Sequence, residues 1–432
     1  MKRKIFLLSI LAIALVSCKK VAGPEGPAGK DGTNGLDANA TCKQCHNATV
    51  VDEKSTEFKL SKHSYGTAAF EEAGSTGCAP CHESEGFKYV CKNNIPATFT
   101  LSGSSYVNNY AATSSTSYGE IGCFTCHSSL HTTYGYSDIS PLTTTAAVPM
   151  TMWGGTKTIN ITQSGGKSNL CIKCHQPRPV TKSTDKNVID YAALSSNPTA
   201  VLYDTTTGAT NVLKPSYRTG IHYGSVGAIY AGIGGIEFSG SLSYSNSTHT
   251  TVASCQDCHT AAMTGKAGGH TFVAKGNFNG CNVSGCHSAS PITATSTKFT
   301  TPRTNHKTLL NQLAAKLKQD GIEILNRNPD TETNLWAGLT TNNYDGYLNI
   351  YDPASNPDGE TNNAGQFRNP SPGSSWTSAQ TAYNLTLPKL KLTNAQMGAI
   401  INFQLCLREY SLGIHNTSYS EALLTNSIAV LP

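Results

Sequence analysis

The sequence has few charged residues and no long hydrophobic run. Lys, Arg, Asp and Glu make up 14% of its 432 residues, hydrophobic residues 38%, and methionine occurs five times, the initiator included. Such a composition predicts too little side-chain burial to offset the entropy of ordering the chain, unless another component supplies the apolar interior. A protein built on a large aliphatic core is therefore not expected.

The longest apolar stretch lies at the N-terminus, after three basic residues. Ile5 to Val16 is interrupted only by Ser9. This stretch is too short to span a bilayer comfortably, so residues 1–17 are predicted to be an export signal. It leads into Ser17-Cys18, an ending that resembles the lipobox of bacterial lipoproteins, in which the cysteine is acylated. The alternative is an ordinary signal peptide with a chance cysteine.

An acylated Cys18 would hold the protein at a membrane surface without a spanning helix. Lys19 follows it, rather than the Asp that often retains lipoproteins at the inner membrane, and this favours the outer membrane. Residues 18–40 are interpreted as a lipid-anchored stalk, because 23–37 consist of Gly-X-Y triplets. So few triplets do not form a stable collagen helix alone, and a stiff solvated spacer is favoured over trimerisation.

Five segments fit the pattern Cys-X-X-Cys-His, which is the attachment signature of c-type haem. Their cysteines and histidines are Cys42, Cys45 and His46; Cys78, Cys81 and His82; Cys123, Cys126 and His127; Cys171, Cys174 and His175; and Cys255, Cys258 and His259. Two such thiols add to the two vinyl groups of one porphyrin, and the adjacent histidine binds the iron as proximal ligand. Paired Cys-X-X-Cys zinc sites are the alternative, but they do not require a histidine after every second cysteine.

A sixth candidate has a wider loop between its cysteines. Cys281 and Cys286 are separated by four residues, and His287 follows directly. Some multihaem proteins use this spacing, so we expect a sixth haem and His287 as its proximal ligand; a simple disulfide loop is the alternative. Six haem c groups would carry up to about twelve propionates. Since the three N-terminal cations are lost with the signal, the holoprotein is expected to be acidic, and nucleic-acid binding is not inferred.

Seven histidines remain once the six proximal ones are assigned, which nearly matches the six distal ligands that six irons need. They are His63, His131, His222, His249, His270, His306 and His415. Because methionine is scarce, His/Met ligation is not expected to dominate, and low-spin, low-potential haems with two histidines each are predicted.

At this point the chain resembles the multihaem c-type cytochromes of dissimilatory metal-reducing and related Gram-negative bacteria, particularly their membrane-anchored lipoproteins. The resemblance rests on the Cys-His motifs, on the surroundings of the fourth motif (169–178), and on the segments around His222, His270 and His415. It implies six distal ligands, namely His63, His131, His222, His249, His270 and His415. His306 is then the spare, although helical spacing places it on an apolar face with Leu309 and Leu310.

The expected fold is mostly irregular, with short α-helices organised around stacked c-type haems, a few short β-hairpins and a helical C-terminal cap. The haem motifs define a cytochrome domain over 41–300, followed by a partly helical region over 301–432 that supplies a distal ligand. Short hairpins are predicted within 140–165 and 196–245. Helices are predicted from Thr304 or Asn305 to Gly321, after a capping box at Thr393 and Gln396, and from Ser418, with an irregular loop over 326–390.

The expected function is electron transfer outside the cytoplasm rather than catalysis. Partners would be other periplasmic or outer-membrane cytochromes and, on the cell-surface face, metal oxides. Two alternatives remain: a multihaem reductase of a small nitrogen or sulfur oxyanion with one open haem, and a protomer of a cytochrome filament. Cys91 and Cys406 are left over after haem and lipid attachment, either as a disulfide or as two unrelated thiols.

Overall fold

The computed structural model describes residues 48–65, 76–95, 99–102, 105–108, 119–127, 142–180, 189–204, 215–327, 344–351, 366–370 and 373–432. Several predictions concern residues outside these ranges. They are the signal peptide (1–17), the stalk (18–40) with Cys18, the first motif with Cys42, Cys45 and His46, and the distal candidate His131.

Most helices of the N-terminal two thirds are short. They are α1 Ala48–Lys59, α2 Lys62–Tyr65, α3 Ala79–His82, α4 Ser84–Lys92, α5 Cys123–Cys126, α6 Ser168–Ile172, α7 Tyr191–Ser196, α8 Val226–Ala231, α9 Thr248–Val252 and α10 Cys255–His259. Single 3₁₀ turns lie at Thr151–Trp153, Gln163–Gly166 and Gly269–Thr271. The C-terminal third has longer helices, namely α11 Thr297–Lys316, α12 Ser378–Thr386, α13 Asn394–Arg408 and α14 Thr417–Val430.

Within the described residues the strands form five two-stranded antiparallel sheets. The strands are β1 Phe99–Ser102, β2 Ser105–Asn108, β3 Val148–Pro149, β4 Thr158–Ile159, β5 Val201–Asp204, β6 Lys318–Gln319, β7 Ile322–Glu323, β8 Leu325–Arg327, β9 Tyr344–Leu348 and β10 Lys391–Thr393. Consecutive strands pair with each other, except that β5 pairs with β10. That pairing ties the middle of the chain to its C-terminal third.

Helix α13 is the centre of the C-terminal helices and packs against both α11 and α14. Every residue of α13 except Gln396 is buried, because strands and helices from both halves of the chain surround it. A helix that is enclosed on all sides needs apolar residues nearly all round, and its sequence from Met397 to Leu407 provides them. The buried exceptions, Asn402 and Gln404, form hydrogen bonds with the backbone of neighbouring segments. Thr393 caps its start: the Thr393 hydroxyl accepts a hydrogen bond from the Gln396 amide at 3.2 Å.

One hydrophobic core joins this helical region to the haem-motif region. Its buried members extend from Val148 to Leu431 and include Ile172, Ile229 and Leu310. Buried amides also connect the two parts: Asn402 on α13 accepts from the amide of Ile236 at 2.8 Å. The expectation of a chain without an aliphatic core is wrong for this part, because the apolar residues are few but concentrated. The core also crosses residue 300, where the two predicted domains meet.

Several predicted elements are present and others differ. The hairpin predicted in 140–165 is confirmed by β3 and β4, whereas the strand found in 196–245, β5, pairs with distant β10. The capping box at Thr393 and Gln396 is confirmed. Helix α11 begins at Thr297, about two turns before the predicted start, and α14 is capped by Asn416 rather than Ser418. The loop predicted over 326–390 contains β9 and α12.

No helix among the described residues has the length and hydrophobicity needed to cross a membrane.

Candidate haem-binding sites

Among the described motifs, the four with two residues between their cysteines lie on or next to short helical turns. In three of them the amide of the motif histidine donates to the carbonyl oxygen of the first cysteine, at 3.1 Å for His82, 3.0 Å for His127 and 2.9 Å for His175. Residues three apart in such a turn share one face, so both thiols lie on the same side. This arrangement can present two sulfur atoms to one planar group, with the histidine next to them.

The wider sixth motif makes the same backbone hydrogen bond. The amide of His287 donates to the carbonyl oxygen of Cys281 at 3.0 Å, although two more residues lie between the cysteines. The extra residues are accommodated around Gly285, whose φ of 84° lies in the left-handed region that suits glycine. The backbone therefore places Cys281, Cys286 and His287 in an arrangement comparable to the shorter motifs.

Four motif histidines face a second histidine from elsewhere in the chain. Each pair combines one predicted proximal ligand with one predicted distal ligand. The ring centroids are 6.0 Å apart for His63 and His175, and 6.2 Å apart for His82 and His222, for His249 and His287, and for His259 and His415. His127 lies close enough to His270 to affect its pKa. Burial lowers the pKa of His270, Glu57 opposes this change, and His127 lowers the pKa further.

These separations can be tested against a haem iron held between two imidazoles. A metal–imidazole bond is about 2.0 Å long, and a ring centroid lies about 1.1 Å behind its nitrogen, so two opposed rings on one metal are roughly 6 Å apart. The four measured pairs match this spacing. Among the described residues no group of three or more His, Cys, Asp or Glu side chains is arranged to hold a metal ion. A group with two histidines at this spacing suits a porphyrin, which supplies four further nitrogens.

The hydrogen bonds of the ring nitrogens also suit metal binding. Five of the paired histidines place Nδ1 next to an oxygen that can only accept, so Nδ1 carries the proton and Nε2 is left for a metal. The acceptors are Gly224 O for His175 (3.3 Å), Tyr223 O for His222 (2.9 Å), Ile414 O for His249 (3.3 Å), Phe272 O for His259 (2.8 Å) and the Glu409 carboxylate for His415 (2.5 Å). The residues present therefore fit haem.

Burial keeps several of these imidazoles in the neutral form that binds metals. Burial lowers the pKa of His175 to about 4, and the neighbouring His63 contributes to the shift. Burial also lowers the pKa of His63 and of His222. His415 is the exception: burial lowers its pKa, but the hydrogen bond to Glu409 and the charge of that carboxylate together raise the pKa above its ordinary value.

His306 uses Nε2 for its hydrogen bond, whereas the paired histidines described above use Nδ1. It lies on α11 with 1% of its surface exposed, and its Nε2 atom donates to the carbonyl oxygen of Cys406 at 2.9 Å. Its Nδ1 atom is buried without a hydrogen-bond partner. Because Nε2 is engaged by the backbone, His306 lacks the free Nε2 that the five paired histidines described above share.

The motifs contact one another in an order that differs from the sequence. Cys81 Sγ lies 3.9 Å from the carbonyl oxygen of Lys173, and a hydrogen bond with the Cys174 thiol lowers the pKa of Cys81. The hydrogen bond between Cys171 and Cys255 lowers the pKa of Cys255 to about 7. The second motif therefore contacts the fourth, and the fourth contacts the fifth.

The fifth motif in turn lies near the sixth. Burial raises the pKa of Cys258 to about 11, and the thiols of Cys281 and Cys286 add to the shift. Four motifs thus form a continuous series through the molecule.

The remaining cysteines are separate. Cys91 on α4 and Cys406 on α13 are both free thiols, and Cys406 is fully buried in the hydrophobic core. No disulfide joins them, so of the two predicted alternatives the structure has the unrelated thiols.

Two acidic residues near the histidine pairs were missed from the sequence. Glu409 accepts from His415, and Glu57 lies 3.6 Å from Nδ1 of His270, with 5% of its surface exposed. Neither residue is part of a recognisable sequence motif, because it is the folding of the chain that brings each carboxylate next to its histidine. No sequence signal marks these two residues, because burial and contact with a histidine are properties of the folded chain.

No family model matches the chain, and comparisons with curated proteins and with solved structures found no match. The functional argument therefore depends on the motifs and on the geometry of the histidine pairs.

Proposed function

We propose that this protein transfers electrons outside the cytoplasm through six covalently bound c-type haems, each ligated by two histidines. The opposed histidine pairs carry the proposal, because each joins a motif histidine to a distant one at the separation that a shared metal requires. Haem iron bound in such a pair carries one electron at a time by alternating between its ferric and ferrous states.

The histidines favour electron transfer over chemistry on a substrate. A pair such as His259 and His415 would hold the haem iron with two imidazole nitrogens, so no place would be left on the iron for a substrate. The backbone and carboxylate acceptors at Nδ1 fix the ring orientations, as is usual for metal-bound histidine. Two nitrogen ligands, with no thioether, also favour a low reduction potential.

The contacts between motifs support a relay. Since Cys81 adjoins Cys174 and Cys171 adjoins Cys255, porphyrins bonded to these cysteines would lie side by side. The series from the second motif through the fourth and fifth to the sixth offers an electron path across the described part of the chain. Terminal partners would be other cytochromes at the outer membrane, or metal oxides at the cell surface.

The deciding experiment counts haems and examines their spin state. The full chain is expressed in a Gram-negative host with haem-attachment machinery, and intact mass is measured together with the electron paramagnetic resonance (EPR) spectrum of the oxidised protein. Six haems and only low-spin ferric signals are expected. A high-spin signal in the wild type would favour the reductase with one open haem. A mass equal to that of the polypeptide alone would rule out both.

The membrane location is tested separately. Acylation at Cys18 predicts a mass increase beyond the haems and recovery of the protein in the outer-membrane fraction. The matched control is Cys18→Ser, which should release a soluble protein with an unchanged haem count. Equal fractionation of both forms would overturn the lipid anchor and leave the electron-transfer proposal intact.

A further inference from the structure

The pair formed by His259 and His415 has a carboxylate behind it. His415 donates from Nδ1 to Oε2 of Glu409 at 2.5 Å, and Glu409 has only 1% of its surface exposed. In the four other hydrogen bonds described above for paired histidines, the acceptor at Nδ1 is a neutral backbone carbonyl. A full negative charge at this position distinguishes the His415 site from those four.

The loop after α13 is built around the Glu409 carboxylate. The amide of Gly413 donates to its Oε1 at 2.8 Å, and the hydroxyl of Ser411 donates to Oε2 at 2.5 Å, the same oxygen that His415 contacts. Tyr410 and Leu412 adopt positive φ angles of 61° and 59°, so the backbone is strained to close this turn. The carboxylate is thus fixed in one position against the imidazole.

Among the described residues, no Arg or Lys side chain lies within salt-bridge distance of Glu409. Its oxygens accept hydrogen bonds from His415, Ser411 and Gly413, an arrangement that stabilises an ionised carboxylate in the protein interior. A buried anion on a metal-ligating histidine draws the Nδ1 proton toward itself, which makes Nε2 a stronger donor to the metal. Both effects favour the ferric over the ferrous state, and the low dielectric of the interior enlarges them.

We propose that Glu409 is a positioning residue that lowers the reduction potential of the haem attached at Cys255 and Cys258. This inference depends on the proposed function, because it requires the haem. The redox change is one electron transferred to the iron, from a chemical titrant in the experiment or a neighbouring haem in the protein. No bond forms or breaks, and the proton stays in the hydrogen bond between His415 and Glu409.

The fifth motif lies between the fourth and the sixth in the series of motifs. A lowered potential there would make electron occupancy of this haem less favourable than it would be without the carboxylate. Glu409 would then control how readily electrons pass from one half of the series to the other.

The test uses two substitutions that shift the potential in opposite directions. Glu409→Gln removes the charge, so the equilibrium constant for reduction of this haem should rise by at least about ten-fold, which is about 59 mV for a one-electron couple. Ser411→Ala removes the donor that competes with His415 for Oε2, so the carboxylate becomes the stronger acceptor and the potential should fall. Redox titration of the purified holoprotein measures both.

EPR spectroscopy can follow this site among the others. The rings of His259 and His415 are inclined by only 15°, whereas the other three measured pairs are inclined by 58° to 80°. Ring inclination sets the splitting of the iron d orbitals: near-parallel rings give a rhombic low-spin spectrum, and near-perpendicular rings give a highly anisotropic one. The shifted component should therefore be a rhombic signal.

The control is Glu237→Gln, the same change at a carboxylate that accepts from Tyr419 at 3.0 Å. It should leave every potential unchanged. A purely structural role for Glu409 predicts a lower unfolding temperature in both test variants without opposite shifts in potential. Shifts of the same sign, or none, would overturn the proposal. The haem count by mass separates that outcome from a failure of the haem assignment itself.

Discussion

Nε2 of His306 and the carbonyl oxygen of Cys406 form a buried hydrogen bond of 2.9 Å between α11 and α13. Burial lowers the pKa of His306, which keeps the ring neutral with its proton on Nε2. His306 was the spare histidine implied by the family resemblance, whereas its helical position argued for a ligand. The hydrogen bond gives it a structural task instead, which is to hold two helices of the hydrophobic core together.

Replacing His306 should therefore affect stability and leave the iron ligands intact. His306→Gln is expected to lower the free energy of unfolding by about 1–3 kcal/mol, because a buried hydrogen bond is lost or distorted. All haems should stay low-spin by EPR. The matched variant His415→Gln should produce one high-spin haem. A high-spin signal from the His306 variant, with none from the His415 variant, would reverse the two assignments.

His46 and His131 are the two candidate ligands left when the four ring pairs, and His127 with the nearby His270, are set aside. We predict that they ligate the same iron, at the motif Cys42 and Cys45. His131→Ala should then create one high-spin haem. In a Cys42→Ser, Cys45→Ser background, which lacks that haem, the same substitution should add no high-spin signal. If the signal persists in that background, His131 serves a different motif.

Local features of the sequence predict more of this structure than long-range ones. The capping box at Thr393 and the turn between β3 and β4 involve neighbouring residues, and both are recognisable in the sequence. The start of α11 was misplaced because Pro302 lies inside the helix, where proline usually marks an end. The pairing of β5 with β10 joins segments almost two hundred residues apart, and no local pattern encodes it.

The candidate sites also have local features that the sequence predicts and long-range contacts that it does not. The proposed attachment cysteines and proximal histidines are predicted from spacing alone, and the proposal of two histidines per iron comes from the number of remaining histidines. Which histidine faces which motif depends on the folded chain, as with His63 and His175. The carboxylate of Glu409 was unpredictable for the same reason, since a tight loop brings it to His415.

Asn402 is expected to contribute more to stability than most residues of α13. Its side chain is fully buried; it accepts from the Ile236 amide at 2.8 Å and donates to the Ile236 carbonyl at 2.7 Å and to Ser427 at 2.9 Å. Asn402→Ala leaves these groups without partners and should lower the free energy of unfolding by about 2–4 kcal/mol. Chemical denaturation of the holoprotein measures the loss.

The control for Asn402 is Leu385→Ala on α12, where the side chain is 58% exposed. Its effect should remain within about 0.5 kcal/mol. A loss of similar size in both variants would show that the buried amide contributes nothing specific.

The pair Glu323 and Arg327 should make stability depend on acid pH. The hydrogen bond from Arg327 lowers the pKa of Glu323 below its usual 4.5, so the pair stabilises the fold above that value and its contribution fades as the pH falls through the lowered pKa. Since Arg327 is largely exposed, the contribution is at most about 1 kcal/mol. Arg327→Gln should be less stable than wild type at pH 7 by this amount.

The difference between Arg327→Gln and wild type should shrink toward pH 3 in denaturant titrations. Lys275→Gln, a change at an exposed lysine, is the control and should show no such trend. A difference that is constant with pH would mean that Arg327 acts through packing alone.

The thiol contacts between motifs constrain how the protein can be made. Under the proposed function, a chain that folded before haem attachment would bring Cys81 against Cys174 and Cys171 against Cys255, and an oxidising compartment would allow these thiols to form disulfides. Such cross-links would consume the sulfur atoms that the proposed haems need. The proposal therefore requires haem attachment while the polypeptide is still extended, with folding afterwards.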